Sequence, residues 1–115
     1  PVSTTDGRQQ RDFIYAPDAA DLLVRLLFSS EEGAFNIGAG RATTVRSVIE
    51  FLANRRDGCH LLRIGTNEPL PGEPPMLVAD MSKVQARLGW TAPTSVEAGL
   101  DRVLIPSPDE ADSHS

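Results

Sequence analysis

Apolar side chains recur at helical spacing shortly after the start of the chain. Pro17 suits the first turn of a helix, and Asp18 would lie near the positive end of the helix dipole. Steps of three and four residues place five apolar side chains on one face: Ala20, Leu23, Val24, Leu27 and Phe28. The pattern predicts a helix that buries this face and is closed by Gly33.

Two further helices are predicted along the chain. Thr44 is a good N-cap and Gly58 a good stop for the first of them. Its apolar stripe consists of Val45, Val48, Ile49 and Leu52. Asp80 caps the second, which is predicted to run through Leu88 and to end at Gly89.

Short runs of β-favouring residues alternate with these helices. Strands or extended segments are predicted at Phe13–Tyr15, Ala34–Ile37, Leu61–Ile64 and Leu77–Ala79. The last two flank a loop rich in proline and glycine, residues 65–75. A last helix is predicted from the capping-box pattern Thr94-Ser95-Val96-Glu97 to about Ile105. The alternation predicts a small mixed α/β domain.

Composition and charge limit the possible partners. The chain has 115 residues, 40% of them hydrophobic, which suffices for one domain with a modest core. Its net charge of −5 argues against nucleic acid or an anionic membrane as a partner. Acidic residues follow two prolines near the C-terminal end. Residues 1–105 are therefore predicted to form the domain, and residues 106–115 a disordered acidic tail.

Cysteine and histidine offer little chemistry. Cys59 is the only cysteine, which excludes an internal disulfide and fits the reducing cytoplasm, the localisation we expect. His60 and His114 do not complete a metal-ligand spacing with it, so no metal site is predicted. The longest apolar stretch, Leu22–Phe28, is interrupted by Arg25 and is too short to span a bilayer.

A series of short motifs carries a family resemblance. In order they are Gly7…Arg11-Asp12-Phe13-Ile14-Tyr15, Phe35-Asn36-Ile37-Gly38-Ala39-Gly40, Thr44-Val45, Pro71-Gly72-Glu73, Ala79-Asp80-Met81-Ser82-Lys83, Leu88-Gly89-Trp90 and Ser95-Val96-Glu97-Ala98-Gly99-Leu100. Together they resemble the C-terminal part of extended short-chain dehydrogenases/reductases. These enzymes are the NAD-dependent epimerases and dehydratases of nucleotide sugars, such as UDP-glucose 4-epimerase. The resemblance runs from about Gly7 to Val103.

The resemblance implies a division of labour. In this family an N-terminal Rossmann domain holds NAD and carries a Tyr-x-x-x-Lys pair, while the C-terminal part closes over the substrate's nucleotide diphosphate. Tyr15 is the only tyrosine here, and Ala19 stands where the lysine would be. The chain also lacks a G-x-x-G-x-x-G fingerprint and begins at Pro1 rather than Met. We therefore expect the Rossmann core to be missing, no NAD to be bound by this chain alone, and no catalytic residue within it.

Two substrate-binding residues follow from the resemblance. Arg11 occupies the position of the family arginine that meets the diphosphate, and guanidinium suits that task because it donates parallel charge-assisted hydrogen bonds. Glu73 stands where the family has an acid against the ribose hydroxyls. The chain departs from the pattern twice. Leu70 replaces an arginine three residues before that acid, and Leu77 stands where some epimerases have a tyrosine near the sugar.

Most other polar residues receive structural interpretations. Asp12 is expected to hold backbone or a neighbouring arginine, Asp18 and Asp80 to lie at helix ends, and Asn36, Gly38 and Gly40 to shape a turn. Trp90 is expected to anchor the core between the last two helices. Gln9 and Gln10 could line a sugar pocket, and Arg8 and Arg41 could add positive potential near the phosphates; solvated surface residues are the simpler interpretation of all four.

The sequence thus predicts the substrate-side portion of an NAD-dependent nucleotide-sugar epimerase or dehydratase, not catalytic alone. Its expected partners are a nucleotide-diphosphate sugar and the missing Rossmann domain or an intact homologue. The alternatives are a free-standing, non-catalytic remnant or nucleotide-sugar binding module, and a purely structural α/β adaptor. Exposed apolar surface would favour a portion of a larger enzyme, whereas a self-sufficient core would favour a module.

Overall fold

Five short strands and four helices are present in the described residues, 2–68 and 70–104 of a computed structural model. The helices are α1 (Ala16–Leu27), α2 (Val45–Arg55), α3 (Ser82–Leu88) and α4 (Val96–Leu104). The strands are β1 (Val2–Ser3), β2 (Gln10–Arg11), β3 (Thr43–Thr44), β4 (Leu62–Arg63) and β5 (Met76–Leu77), and a 3-10 turn spans Cys59–Leu61. The predicted mixed α/β class is confirmed. The predicted tail, residues 106–115, lies outside the described residues, as does Ile105.

The strands form two small sheets. In one, β1 runs parallel to β4. In the other, β2 is central, antiparallel to β3 and parallel to β5. The register places Arg11 beside Thr43 on one side and Leu77 on the other. The central strand therefore carries Arg11 at the point where the proline-rich loop returns to the sheet.

The strand predictions were correct only in part. Leu61–Ile64 contains β4, and Leu77 of the predicted extended segment belongs to β5. The predicted strands Phe13–Tyr15 and Ala34–Ile37 are wrong, because neither forms a backbone ladder among the described residues. A β-favouring run becomes a strand only when a neighbour pairs with it. Ile14 and Phe35 instead pack their side chains against the core.

The predicted buried face of α1 is also wrong. The exposed fractions are 48% for Leu23, 51% for Val24, 79% for Leu27 and 87% for Phe28, and Ala20 is exposed as well. The helix buries its other apolar stripe, with Leu22 fully buried and Leu26 partly buried against the core. Both sides of α1 are thus apolar, and this chain covers only one of them.

The helix ends follow the sequence signals only in part, because α1 ends at Leu27 rather than at Gly33 and α2 ends at Arg55 rather than at Gly58. The Thr44 side chain accepts the Ser47 backbone N–H at 3.2 Å, and Ser95 Oγ accepts that of Ala98 at 3.1 Å. Gly89 closes α3 in the left-handed conformation, at φ 63°. Asp80 was predicted to cap α3, but Met81 is the N-cap residue, and Asp80 accepts the backbone N–H of Ser82 at 3.0 Å from one residue further back. The signals at Thr44 and Gly89 are local, which explains why the sequence was sufficient to predict them.

The core is small. Its buried members are Leu22, Ala39, Val84, Trp90 and Ala92. The largest fully buried side chains of the described part are Leu22 of α1 and Val84 of α3. Trp90 is a core anchor as predicted, but its indole Nε1 donates to Asp21 of α1 at 3.0 Å, which ties it to that helix. None of the described helices combines the length and apolarity needed to cross a bilayer.

Candidate functional site

Arg11 and Glu73, 62 residues apart in the sequence, meet at the end of β2, the central strand of the three-stranded sheet. Arg11 Nη2 donates to Glu73 Oε1 at 3.1 Å, and Arg11 Nη1 donates to the Gln10 carbonyl at 2.8 Å. Both side chains are largely shielded, with exposed fractions of 22% and 28%. The structure therefore brings together the two residues that the sequence singled out.

The sheet register explains this meeting. The backbone N–H of Gln10 donates to the Pro75 carbonyl at 2.8 Å, so the end of the proline-rich loop is pinned to the start of β2. Within the loop, the Glu73 N–H donates to the Leu70 carbonyl at 3.2 Å and closes a turn. Glu73 consequently faces Arg11, while the side chain of Leu70, at the other end of this turn, is 73% exposed.

Hydrogen-bonding capacity remains at this pair. A guanidinium has five N–H donors, and the two bonds described use two of them. Glu73 keeps its second carboxylate oxygen for another donor. The arrangement is chemically suited to an anion on the guanidinium side and to hydroxyl groups on the carboxylate side.

An open cavity of about 190 Å³ adjoins Glu73 of this pair. Asp6, Arg8, Gln9, Leu70 and Glu73 line it, together with two prolines. Arg8 Nε lies 3.3 Å from Asp6 Oδ2. Of the glutamines considered from the sequence, Gln9 lines this cavity, whereas Gln10 lies in β2 opposite Thr44. Asp6 was missed, and no local sequence signal distinguishes it from a solvated carboxylate.

Asp12, next to Arg11, has the structural role that the sequence predicted. Its carboxylate accepts three backbone N–H groups, from Ala39 at 2.8 Å, Gly40 at 2.9 Å and Ala79 at 3.1 Å. A Cβ on Gly38 would lie 2.6 Å from Asp12 Oδ2, so only glycine allows the close approach. Asp12 thus ties the β2 end to the two segments beside it.

A larger cavity, of about 420 Å³, opens beside the segments that Asp12 joins. Its lining includes Gly40, Arg41, Asp80 and Trp90. Arg41 Nη2 donates to the Ala92 carbonyl at 2.8 Å, so Arg41 holds backbone on this side of the molecule. The Ser82 hydroxyl and backbone N–H lower the pKa of Asp80. Asn36 donates to the Asp80 carbonyl at 3.1 Å, so its side chain joins two segments that lie far apart in the sequence rather than closing a local turn.

Carboxylates of α1 fasten the neighbouring segments. Asp18 is buried in the first turn and accepts both the backbone N–H and the hydroxyl of Thr94, at 2.9 and 3.1 Å. Asp21 accepts the Trp90 indole N–H and the Arg25 Nε–H, and these two bonds lower its pKa, the indole bond most. Asp21 had no role in the sequence interpretation, because its partner Trp90 lies 69 residues away.

The remaining candidate residues do not form a further site within the described part of the chain. The Cys59 thiol is exposed and donates to Asn54 Oδ1 at 2.8 Å. Within the described residues, no cluster of histidine, cysteine and acidic side chains could hold a metal ion. Tyr15 precedes α1, and its ring packs over Gly99, where an added Cβ would lie 3.3 Å from the ring.

The fold and this site define a class of protein, the C-terminal part of extended short-chain dehydrogenases/reductases. The family description "GDP-mannose 4,6 dehydratase" matches residues 1–103. The chain belongs to this family, as the sequence motifs predicted.

Individual relatives agree with this assignment. The chain is similar to UDP-glucose 4-epimerase of Rhizobium meliloti, with 38% identity over 94 residues, which cover 76% of this chain and 27% of the relative. A dTDP-4-dehydro-6-deoxyglucose reductase of Escherichia coli is 27% identical over 99 residues, covering 83% of this chain and 30% of the relative. The chain thus spans less than a third of the length of these relatives.

Solved structures give the same picture. Thermotoga maritima UDP-glucose 4-epimerase with UDP-glucose superposes with a TM-score of 0.75 at 28% identity, over 86% of this chain and 32% of that one. MoeE5 in complex with UDP-glucuronic acid and NAD superposes with a TM-score of 0.72 at 29% identity, over 88% and 34%. The similar structures therefore include proteins that bind nucleotide sugars and NAD.

Proposed function

We propose that this chain is the substrate-side portion of an NAD-dependent nucleotide-sugar epimerase or dehydratase. Arg11 binds the diphosphate of the nucleotide sugar, and Glu73 accepts hydrogen bonds from the ribose hydroxyls. The observation that supports the proposal is the Arg11–Glu73 contact of 3.1 Å, because a guanidinium and a carboxylate at the end of one strand suit a diphosphate and ribose hydroxyls.

The pair is a suitable starting state for such a ligand. Glu73 orients the guanidinium from one side, and the donors of Arg11 that are left over can turn to phosphate oxygens. Partial shielding strengthens these bonds relative to bonds in open water. The hexose would then lie against a nicotinamide held by the NAD-binding region of the whole enzyme, where the hydride chemistry takes place.

The exposed face of α1 supports a place within a larger protein. A helix that is apolar on both sides is typical of a core position between two layers. We propose that Leu23, Val24, Leu27 and Phe28 pack against the NAD-binding region, to which the unmatched two thirds of the relatives correspond.

Ligand-dependent melting tests the binding role. The folded chain is heated with UDP-, dTDP-, GDP- or CDP-sugars, and a bound ligand at 100 times its Kd should add about 2.7 kcal/mol of stability. The Arg11→Gln variant should lose this shift, whereas Arg55→Gln, which removes an exposed pair with Asp101, should keep it. If none of the four sugars stabilises the folded wild-type chain, the proposed function is wrong.

A further inference from the structure

We propose that Arg8 supplies a second cation for the substrate's diphosphate, in the role left open by Leu70. This inference rests on the proposed function and names a further binding residue for the same site. It starts from the cavity of about 190 Å³ that Arg8, Leu70 and Glu73 line together; Glu73 in turn contacts Arg11.

The charges around this cavity require such a cation. Asp6 and Glu73 contribute two carboxylates to its lining. Leu70 brings no charge to it, so Arg8 is the cation of the lining. Two carboxylates alone would repel a diphosphate, which carries several negative charges. Arg8 offsets one of these carboxylates, and Arg11, which does not line the cavity itself, offsets the other through its bond to Glu73.

Other arginines of the described part are engaged elsewhere. Arg41 is bonded to the Ala92 carbonyl beside the larger cavity. Arg46 lies close to Gly7 through its backbone, but its side chain pairs with Glu50 one turn along α2, at 2.8 Å. Arg8 is the described arginine that lines the cavity with Glu73.

The backbone at Arg8 is held by a hydrogen bond, while its side chain is largely exposed. Asp6 Oδ1 accepts the Arg8 backbone N–H at 3.2 Å. Gly7 has φ +69°, and an added Cβ there would lie 2.7 Å from Arg46, so the turn depends on glycine. The Arg8 side chain itself is 85% exposed and is held by the 3.3 Å contact with Asp6. Exposed pairs of this kind contribute little, so a phosphate can replace Asp6 at small cost.

Arginine Nε–H signals provide a test that does not depend on the nucleotide base. Inorganic pyrophosphate is titrated into the isotope-labelled full chain, and the Nε–H resonances of Arg8 and Arg11 are followed by NMR. Both should shift with the same Kd. Arg87, on α3, pairs with Glu31 and is the control position. The Arg87→Gln variant removes a cation there, so it should titrate like the wild type.

Variants then separate charge from local structure. Arg8→Gln should weaken pyrophosphate binding roughly fivefold to tenfold, as expected for the loss of one charge-assisted contact at an exposed position. Adding Leu70→Arg to it should restore most of the affinity. Asp6→Asn keeps an acceptor for the Arg8 backbone N–H but removes a negative charge, so it should tighten binding about twofold.

The outcomes distinguish this inference from the proposed function. If the Arg11 signal shifts and the Arg8 signal does not, Arg8 is not a ligand and the proposed function still stands. If Arg8→Gln weakens binding and Leu70→Arg fails to restore it, the effect is structural and the inference is overturned. If neither arginine responds to pyrophosphate and no nucleotide sugar stabilises the chain, both proposals fail.

Discussion

At the scale of single residues, the best-defined feature is the hydrogen-bond cluster around Asp12. Its carboxylate joins segments 27, 28 and 67 residues away through three backbone N–H groups. The sequence indicated a structural aspartate and a glycine turn, because both residue types have strong local preferences. It could not indicate that the two features touch, because such contacts depend on the fold of the whole chain.

The close packing of Gly38 in this cluster can be tested by a small substitution. Gly38→Ala would place a methyl group 2.6 Å from Asp12 Oδ2 and 2.7 Å from the Ala79 Cβ, so backbone must shift. We expect a loss of about 1–3 kcal/mol in the free energy of unfolding, measured by urea denaturation.

Gly58→Ala is the matched control for that substitution. Gly58 has φ −102°, and the nearest atom to an added Cβ is 3.8 Å away. Alanine there should be neutral or should stabilise by about 0.5 kcal/mol, because it restricts the unfolded chain. Equal effects of the two substitutions would contradict the tight packing around Asp12.

Asp21 gives a prediction about acid stability. Bonds from Trp90 and Arg25 lower its pKa in the folded state below the ordinary value of 3.8. A carboxyl group with a lowered folded pKa stabilises the fold above its unfolded pKa. That stabilisation is lost as the pH falls through the folded pKa.

The measurement is the melting temperature of wild type and Asp21→Asn between pH 6 and pH 2. The wild type should be more stable at pH 6, and the difference should shrink as the pH falls below about 4. A difference that stays constant over this range would show that the Asp21 charge does not contribute.

At the scale of elements, α1 shows where hydrophobic periodicity misleads. The helix carries two apolar stripes, and the richer one, which includes Leu27 and Phe28, was predicted to be buried. The poorer stripe is buried instead, because Asp18 and Asp21 on α1 bond to Thr94 and Trp90 and fix the rotation of the helix. Periodicity finds the helix, but polar anchors determine its rotation.

The two stripes should respond differently to truncation. Leu22→Ala removes a fully buried side chain and should cost about 2–4 kcal/mol, a loss of roughly 8 °C or more in the melting temperature. Leu27→Ala changes a side chain that is 79% exposed and should cost less than about 0.5 kcal/mol. Thermal unfolding followed by circular dichroism compares them. A larger loss for Leu27→Ala would mean that the helix is rotated the other way.

At the scale of the whole molecule, the resemblance predicted the class and named Arg11 and Glu73 separately as binding residues, and the structure brings their side chains into contact. Residue chemistry alone would not have found that contact, because it depends on the parallel pairing of β2 and β5. The sequence named Arg8 and Arg41 alike as possible cations near the phosphates, and only the cavity lining distinguishes Arg8 from Arg41. What the sequence could not predict is therefore mostly long-range: strand partners, helix rotation and the groups that share a cavity.

The uncovered side of α1 is predicted to matter only when the rest of the enzyme is present. The core is small, with Leu22 and Val84 as its largest fully buried side chains, and Leu27 and Phe28 are exposed to water. Such an arrangement suits one layer of a larger protein. The double change Leu27→Glu and Phe28→Ser should therefore leave the isolated chain as stable as before. The same change should be harmful in a chimera in which this chain replaces the matching segment of the Rhizobium meliloti epimerase, because it would place a carboxylate in the new interface.

Soluble yield and the cooperativity of melting are the readouts for the chimera, since they do not depend on catalysis. Leu61→Glu, on the 3-10 turn and 48% exposed, is the matched control and should leave both readouts unchanged. If the double variant of the chimera melts like its parent, the α1 face is not an interface with the NAD-binding region. A free-standing nucleotide-sugar binding module would then explain the chain better, because it needs no covering layer on α1.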